Sequence, residues 1–235
     1  MKRAIAFFSL AVCAWSQSAP QLDTYYIAFL RPAPDRKPLA KADAERIQSA
    51  HMANIQGMAE RGVLVAAGPF GDTPTTISGI FVFKTASLDE ARRIAEQDPT
   101  VLEHRNTIDI VTWHAPKGIG EEYKRLHKEN PQTPEGMGVQ PFAIVYAGPN
   151  WNQPGEEHDK IMAAHATYIG TVARDGKLGA GGRAEGAPDL LAIVVFNRVS
   201  DEEARRLIDS DPAMKAGLFR VEYHRWWCAE HVLPK

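Results

Sequence analysis

Cysteine is nearly absent from this chain of 235 residues, which has only Cys13 and Cys228. Cys13 falls inside an N-terminal stretch that reads as a leader, so a mature chain keeps one thiol and cannot form an internal disulfide. Its stability must come from packing, and Cys228, beside Trp226 and Trp227, reads as a small buried apolar residue. Charge of one sign is missing as well. The 27 basic and 29 acidic residues are interspersed and sum to −2, which leaves no basic surface for many phosphates and excludes nucleic acid as an expected partner. No apolar run reaches the roughly 20 residues that a membrane-spanning helix needs, so no integral membrane contact is expected. The sequence also has no Gly-rich phosphate loop, no strong nucleophile motif and no ligand cluster at metal spacing. Neither a metal nor another cofactor is therefore expected.

The first residues carry a targeting pattern: Lys2 and Arg3, an apolar run from Ala4 to Trp15, then the small residues Ser16 and Ser18. This predicts a signal peptide over 1–18, cleaved between Ser16 and Ala19, and a secreted or periplasmic protein. A lipoprotein junction at Cys13 is disfavoured by the bulky Val12 and the short apolar stretch before it.

The remaining chain repeats itself. Glu90-Ala91-Arg92-Arg93-Ile94 recurs as Glu203-Ala204-Arg205-Arg206-Leu207, Asp98-Pro99 as Asp211-Pro212, and Trp113 as Trp226, at an offset of 113 residues. Upstream, His51, Gly62, Leu64 and Gly68 match His165, Gly176, Leu178 and Gly182 at an offset of 114. Ordered matches across most of each half point to two copies of one unit. The copies are placed at 19–115 and 141–235, with a linker at 116–140 that holds a short polar helix over Gly120 to Glu129.

Each half predicts the same elements. A short strand (Tyr25 to Arg31, Phe142 to Ala147) precedes a helix with an apolar face of Ile47, Ile55 and Met58, or Ile161, Ile169 and Val172. Gly62 and Gly176 end these helices. Two strands follow, and the third in each half is a continuous apolar run, Ile80 to Phe83 and Leu191 to Phe196, as expected when both sheet faces are covered. A second helix opens on the serine and glutamate spacing of a capping box, at Ser87 and Glu90 and again at Ser200 and Glu203, and stops at Asp-Pro. A last strand completes βαββαβ, the order of ferredoxin-like units. Helices cover one sheet face, and the equivalent face of the other half is the natural cover for the second. The predicted class is therefore α+β, two ferredoxin-like units packed sheet to sheet as a pseudo-dimer within one chain.

His51 sits four residues from both Ile47 and Ile55, on the stripe facing the sheet, and His165 repeats this between Ile161 and Ile169. Asp98 and Asp211 fall four residues after Ile94 and Leu207, at what reads as a helix C-terminus, where the helix dipole disfavours a carboxylate. A nearby imidazole or exposed amide would have to hold them. The other histidines, His104, His114, His127, His158, His224 and His231, are scattered and read as surface or packing residues.

Ala50-His51-Met52, Gly62-x-Leu64 into Gly68-Pro69, Gly79 opening a strand, and Asp98-Pro99 after an acidic helix resemble the YciI-like (YCII-related) pattern. Ala164-His165-Ala166, Gly176-x-Leu178, Gly181-Gly182 and Asp211-Pro212 resemble it again. The resemblance implies a dimeric α+β barrel with His51 paired to Asp98 and His165 to Asp211, in pockets that take a small-molecule ligand. Gly68 and Pro69, with Arg183 in the second half, are implied as substrate-binding residues; Arg183 departs from the proline of the pattern. An aspartate that accepts one imidazole N–H fixes the tautomer and frees the other nitrogen to move a proton near neutral pH. That chemistry suits isomerisation, elimination or enolisation. The alternative is a noncatalytic binding or structural protein. A haem-binding barrel is a third reading, since a histidine on an apolar helix face can also be an axial ligand.

Overall fold

The computed structural model describes residues 21–72, 76–132 and 136–234. The leader expected over 1–18 lies outside the described residues, as does part of the loop expected at 130–136.

The first unit runs β1 (Leu22–Pro32), α1 (Lys41–Glu60), β2 (Leu64–Pro69), β3 (Gly79–Phe83), α2 (Leu88–Ala95), α3 (Pro99–Leu102) and β4 (Asn106–Pro116). A connecting helix, α4 (Glu121–Glu129), leads to β5 (Met137–Ala147), α5 (Glu156–Arg174), β6 (Leu178–Glu185), β7 (Leu190–Phe196), α6 (Asp201–Ser210), α7 (Pro212–Lys215) and β8 (Phe219–Ala229). Gly62 and Gly176 end α1 and α5 with φ of 74° and 70°, which an L side chain rarely adopts. Ser87 Oγ accepts from Glu90 N, and Glu90 Oε2 accepts from Ala86 N, closing the expected cap at α2. Ser200 caps α6 in the same way, but Glu203 turns instead to Lys177. The first and last strands of each unit run longer than the sequence pattern suggests. β1 and β4 pair along their whole length from Leu22–Pro116 to Pro32–Asn106, and β5 and β8 from Met137–Ala229 to Ala147–Phe219.

All eight strands join in the order β2-β3-β1-β4-β6-β7-β5-β8, so each unit contributes one four-stranded run. At one seam Trp113 pairs with Ala184. At the other, Phe70 bridges Trp226 and Gly71 N donates to Arg225 O at 2.9 Å. Both seams use equivalent positions, so the two units meet about a pseudo-two-fold axis and the sheet nearly closes into an α+β barrel. Tyr25, Ile27, Trp113, Phe142, Ile193 and Trp226 fill its interior, and Trp113 Nε1 donates across to Ile193 O. The helices lie outside. Met58, Ala91 and Ala95 pack on Phe81 and Phe83, and Ala204 packs on Ala143 and Phe196. β3 is buried along its whole length, as its unbroken apolar run requires. No helix among the described residues is long and apolar enough to cross a membrane.

Candidate active site

Asp98 does not sit at the unfavourable end of a helix. α2 stops at Ala95, and Asp98, with extended backbone (φ −64°, ψ 133°), is the N-cap of the four-residue α3, with Pro99 at the first helical position. Asp followed by Pro is the cap and first-turn signature of a helix start as well as a stop. Asp211 and Pro212 repeat the cap at α7, but α6 runs to Ser210, so Asp211 is also the C-cap of α6, at the helix end the sequence predicts.

Four donors converge on the fully buried Asp98 carboxylate. Thr100 gives its N–H at 3.0 Å and its hydroxyl at 2.6 Å to Oδ1, Asn54 Nδ2 gives 2.9 Å to Oδ2, and His51 Nδ1 lies 2.8 Å from Oδ2. Burial pushes the carboxyl pKa up, but the bonds from His51, Thr100 and Asn54 outweigh it and hold the group below the usual carboxylate range. An ionised Asp98 can only accept, so Nδ1 of His51 carries the proton and donates it. Nε2 then has no hydrogen-bond partner among the described residues. The ring packs beside Phe81 with centroids 5.8 Å apart and keeps a side-chain exposure of 16%. Behind Thr100, Asn106 donates to its Oγ1 and Ser78 donates to Asn106 Oδ1, each at 3.0 Å.

The second unit keeps the pair with a thinner support. His165 Nδ1 lies 2.7 Å from Asp211 Oδ2, and Ala213 N donates to Oδ1 at 2.8 Å. Ala213 replaces Thr100, and Tyr168 replaces Asn54. The Tyr168 hydroxyl bonds Leu207 O at 2.8 Å and not the aspartate.

The remaining expected positions lie on β2 and β6. A Cβ on Gly68 would fall 1.7 Å from Trp227 O, and one on Gly182 1.8 Å from His114 O, so both glycines let backbones meet at the barrel seams. Pro69 pairs with Gly79, and Arg183 Nη2 reaches Glu185 Oε2 at 2.9 Å. A cleft of about 310 Å³ opens instead between α1 and α2, lined by Asn54, Arg61, Glu90, Arg93, Ile94 and Gln97. Asn54 therefore belongs to both the cleft and the carboxylate. It lies three residues after His51, a spacing visible in the sequence once the pair is suspected.

Another buried imidazole with a carboxylate partner has no sequence signal. His224, read as one of the scattered histidines, is buried on β8; its Nδ1 bonds Asp72, 152 residues away, and its ring stacks on Phe70. Its Nε2 stands 3.2 Å from Glu222 Oε1, at ion-pair distance but without hydrogen-bond direction. Cys228 is buried, and burial pushes its thiol up to about 12, so it is no nucleophile at neutral pH. Among the described residues no group of three or more His, Cys, Asp or Glu side chains is arranged to hold a metal ion.

The YCII-related domain pattern matches residues 25–113 and again 141–227. A search of curated proteins gives no match. Among solved structures, the chain is similar in fold to a chlorite dismutase variant from Candidatus Nitrospira defluvii (TM-score 0.56, 9% identity, 89% of this chain and 92% of that one). The imidazole complex of the same organism's chlorite dismutase gives 0.55, 10% identity, 92% and 93%. A protein described as a candidate chlorite dismutase gives 0.55, 12% identity, 91% and 96%. At such identities the likeness extends to the two-unit barrel architecture and no further.

Proposed function

Since the chain belongs to the YCII-related domain family, twice over, we propose that it is a small-molecule enzyme in which His51 and Asp98 form a general acid–base pair. What carries the reading is the His51 environment. A buried, fully ionised carboxylate fixes Nδ1 as the donor, and Nε2 is left without a partner to take a proton from a bound substrate and return it. Asp98 stabilises the imidazolium that forms and stays ionised throughout. The chemistry is a proton shift next to an activated carbon, as in isomerisation, elimination or enolisation, and the reading uses no cofactor. His165 and Asp211 form a second, less supported pair. The leader pattern adds the proposal that the protein works outside the cytoplasm, which N-terminal sequencing of the mature form tests.

Incubating the protein in deuterated water with a panel of small organic acids and ketones, and reading deuterium incorporation by NMR, tests the chemistry. Exchange that disappears in His51→Gln supports the reading. Undiminished exchange in that variant overturns it. The noncatalytic alternative has one observation in its favour, the Asp98 cap on α3. It prevails if His51→Gln only lowers the melting temperature and no exchange is found in either protein.

A further inference from the structure

We propose that the cleft between α1 and α2 is a binding site for a small organic carboxylate, and that only the first unit has it. The proposal rests on the acid–base reading for its purpose, although the binding itself does not require turnover.

Arg61 and Arg93 line the cleft, and neither is in an ion pair with a carboxylate among the described residues. Arg93 reaches only a backbone oxygen, Asp89 O, at 3.4 Å. The one acidic lining residue, Glu90, has its Oε2 on Ala86 N and is held at the start of α2. Two guanidiniums without a carboxylate partner favour an anion, and a guanidinium fork suits a carboxylate in shape as well as charge. Ile94 adds an apolar wall and Asn54 and Gln97 add amides, so the preferred ligand joins a carboxylate to a small apolar body. Asn54 links the cleft to the pair, because its amide donates to Asp98, which bonds His51, although neither His51 nor Asp98 lines the cleft.

The second unit differs at three of the equivalent positions, while Leu207 keeps the apolar wall of Ile94. Tyr168 stands for Asn54 and crosses the groove between α5 and α6 to bond Leu207 O. Asp175, the C-cap of α5, stands for Arg61 and brings a negative charge. Arg206 stands for Arg93 but is paired with Glu202 at 2.7 Å. The second His–Asp pair therefore stands beside a groove that Tyr168 crosses and whose one equivalent arginine is paired.

The test uses the uniformly ¹⁵N-labelled full chain, titrated with benzoate and, as an uncharged partner of the same shape, benzamide. Benzoate is expected to shift amide resonances around Asn54, Arg61, Ile94 and Gln97, saturating at one site per chain, with benzamide at least about tenfold weaker. Arg61→Gln and Arg93→Gln should each weaken benzoate by a similar factor. Equal affinity for benzoate and benzamide, equal affinity in the arginine variants, shifts of the same size around Tyr168 and Ser210, or no shift at the α1–α2 cleft in tens of millimolar benzoate each overturn the proposal. His51→Gln separates the two readings. Benzoate binding retained in that variant, together with undiminished deuterium exchange, removes the acid–base pair and leaves the site; lost exchange with no benzoate site does the reverse.

Discussion

The Asp98 carboxylate has no exposed surface, and its ionisation is upheld only by the donors around it. Its folded pKa lies below that of a free aspartate, so it contributes stability above about pH 4 and loses it as the pH falls through the folded value. Asp98→Asn removes that ionisation, and urea denaturation from neutral to acid pH should show the variant less stable at neutrality but with a flatter acid limb. If both proteins lose stability in parallel, the carboxylate is not held as described. Thr100→Val removes one donor from Oδ1 and leaves Asn106 without its acceptor, for an expected loss of about 1–2 kcal/mol. At this scale the sequence displayed the two pairs through their recurrence at matched positions. It did not display which residues complete the shell, because Asn54 and Thr100 differ between the halves and drop out of any comparison of repeats.

Between elements, the strands meet where side chains are missing. Gly68 and Gly182 are equivalent residues on β2 and β6, and each lets a neighbouring strand approach to a distance that a Cβ would block. Gly68→Ala or Gly182→Ala should cost about 1–3 kcal/mol or more, since the obstructing atom is a backbone oxygen that cannot swing aside. Gly181→Ala supplies the contrast: its Cβ would meet Val194 methyl carbons at 3.7 and 3.8 Å and Ile193 O at 4.0 Å, all ordinary van der Waals contacts, so its thermal midpoint should stay close to the parent's. Equal losses at all three sites would refute the seam account. Strand and helix order were readable because periodicity, glycine stops and serine caps are local signals. The seams were not, because Gly68 meets Trp227 across 159 residues of chain and no local pattern records such an approach.

For the molecule as a whole, the question is what fastens one unit to the other besides apolar burial. His224 on β8 bonds Asp72 of the first unit and faces Glu222, whose carboxylate also accepts from Tyr146 at 3.2 Å. Burial lowers the His224 pKa, but Glu222 and Asp72 more than offset it and raise the pKa above the ordinary histidine value. The His224 contact in turn lowers Glu222, against the opposing effect of burial. The signs then set a window. The histidine contribution is full below about pH 6.5 and fades as the pH rises through its higher folded value; the Glu222 contribution is present above about pH 4.3 and fades as the pH falls through its lower one. The fastening should thus be firmest in mildly acidic solution. His224→Gln should lower the melting temperature there and flatten its decline toward alkaline pH, and Asp72→Asn should do the same in smaller measure. Because Asp72 and His224 belong to different units, the double variant should lose less than the two single variants added together, which a thermal double-mutant cycle measures directly. Strict additivity would mean that the two residues act independently and that their contact does not fasten one unit to the other.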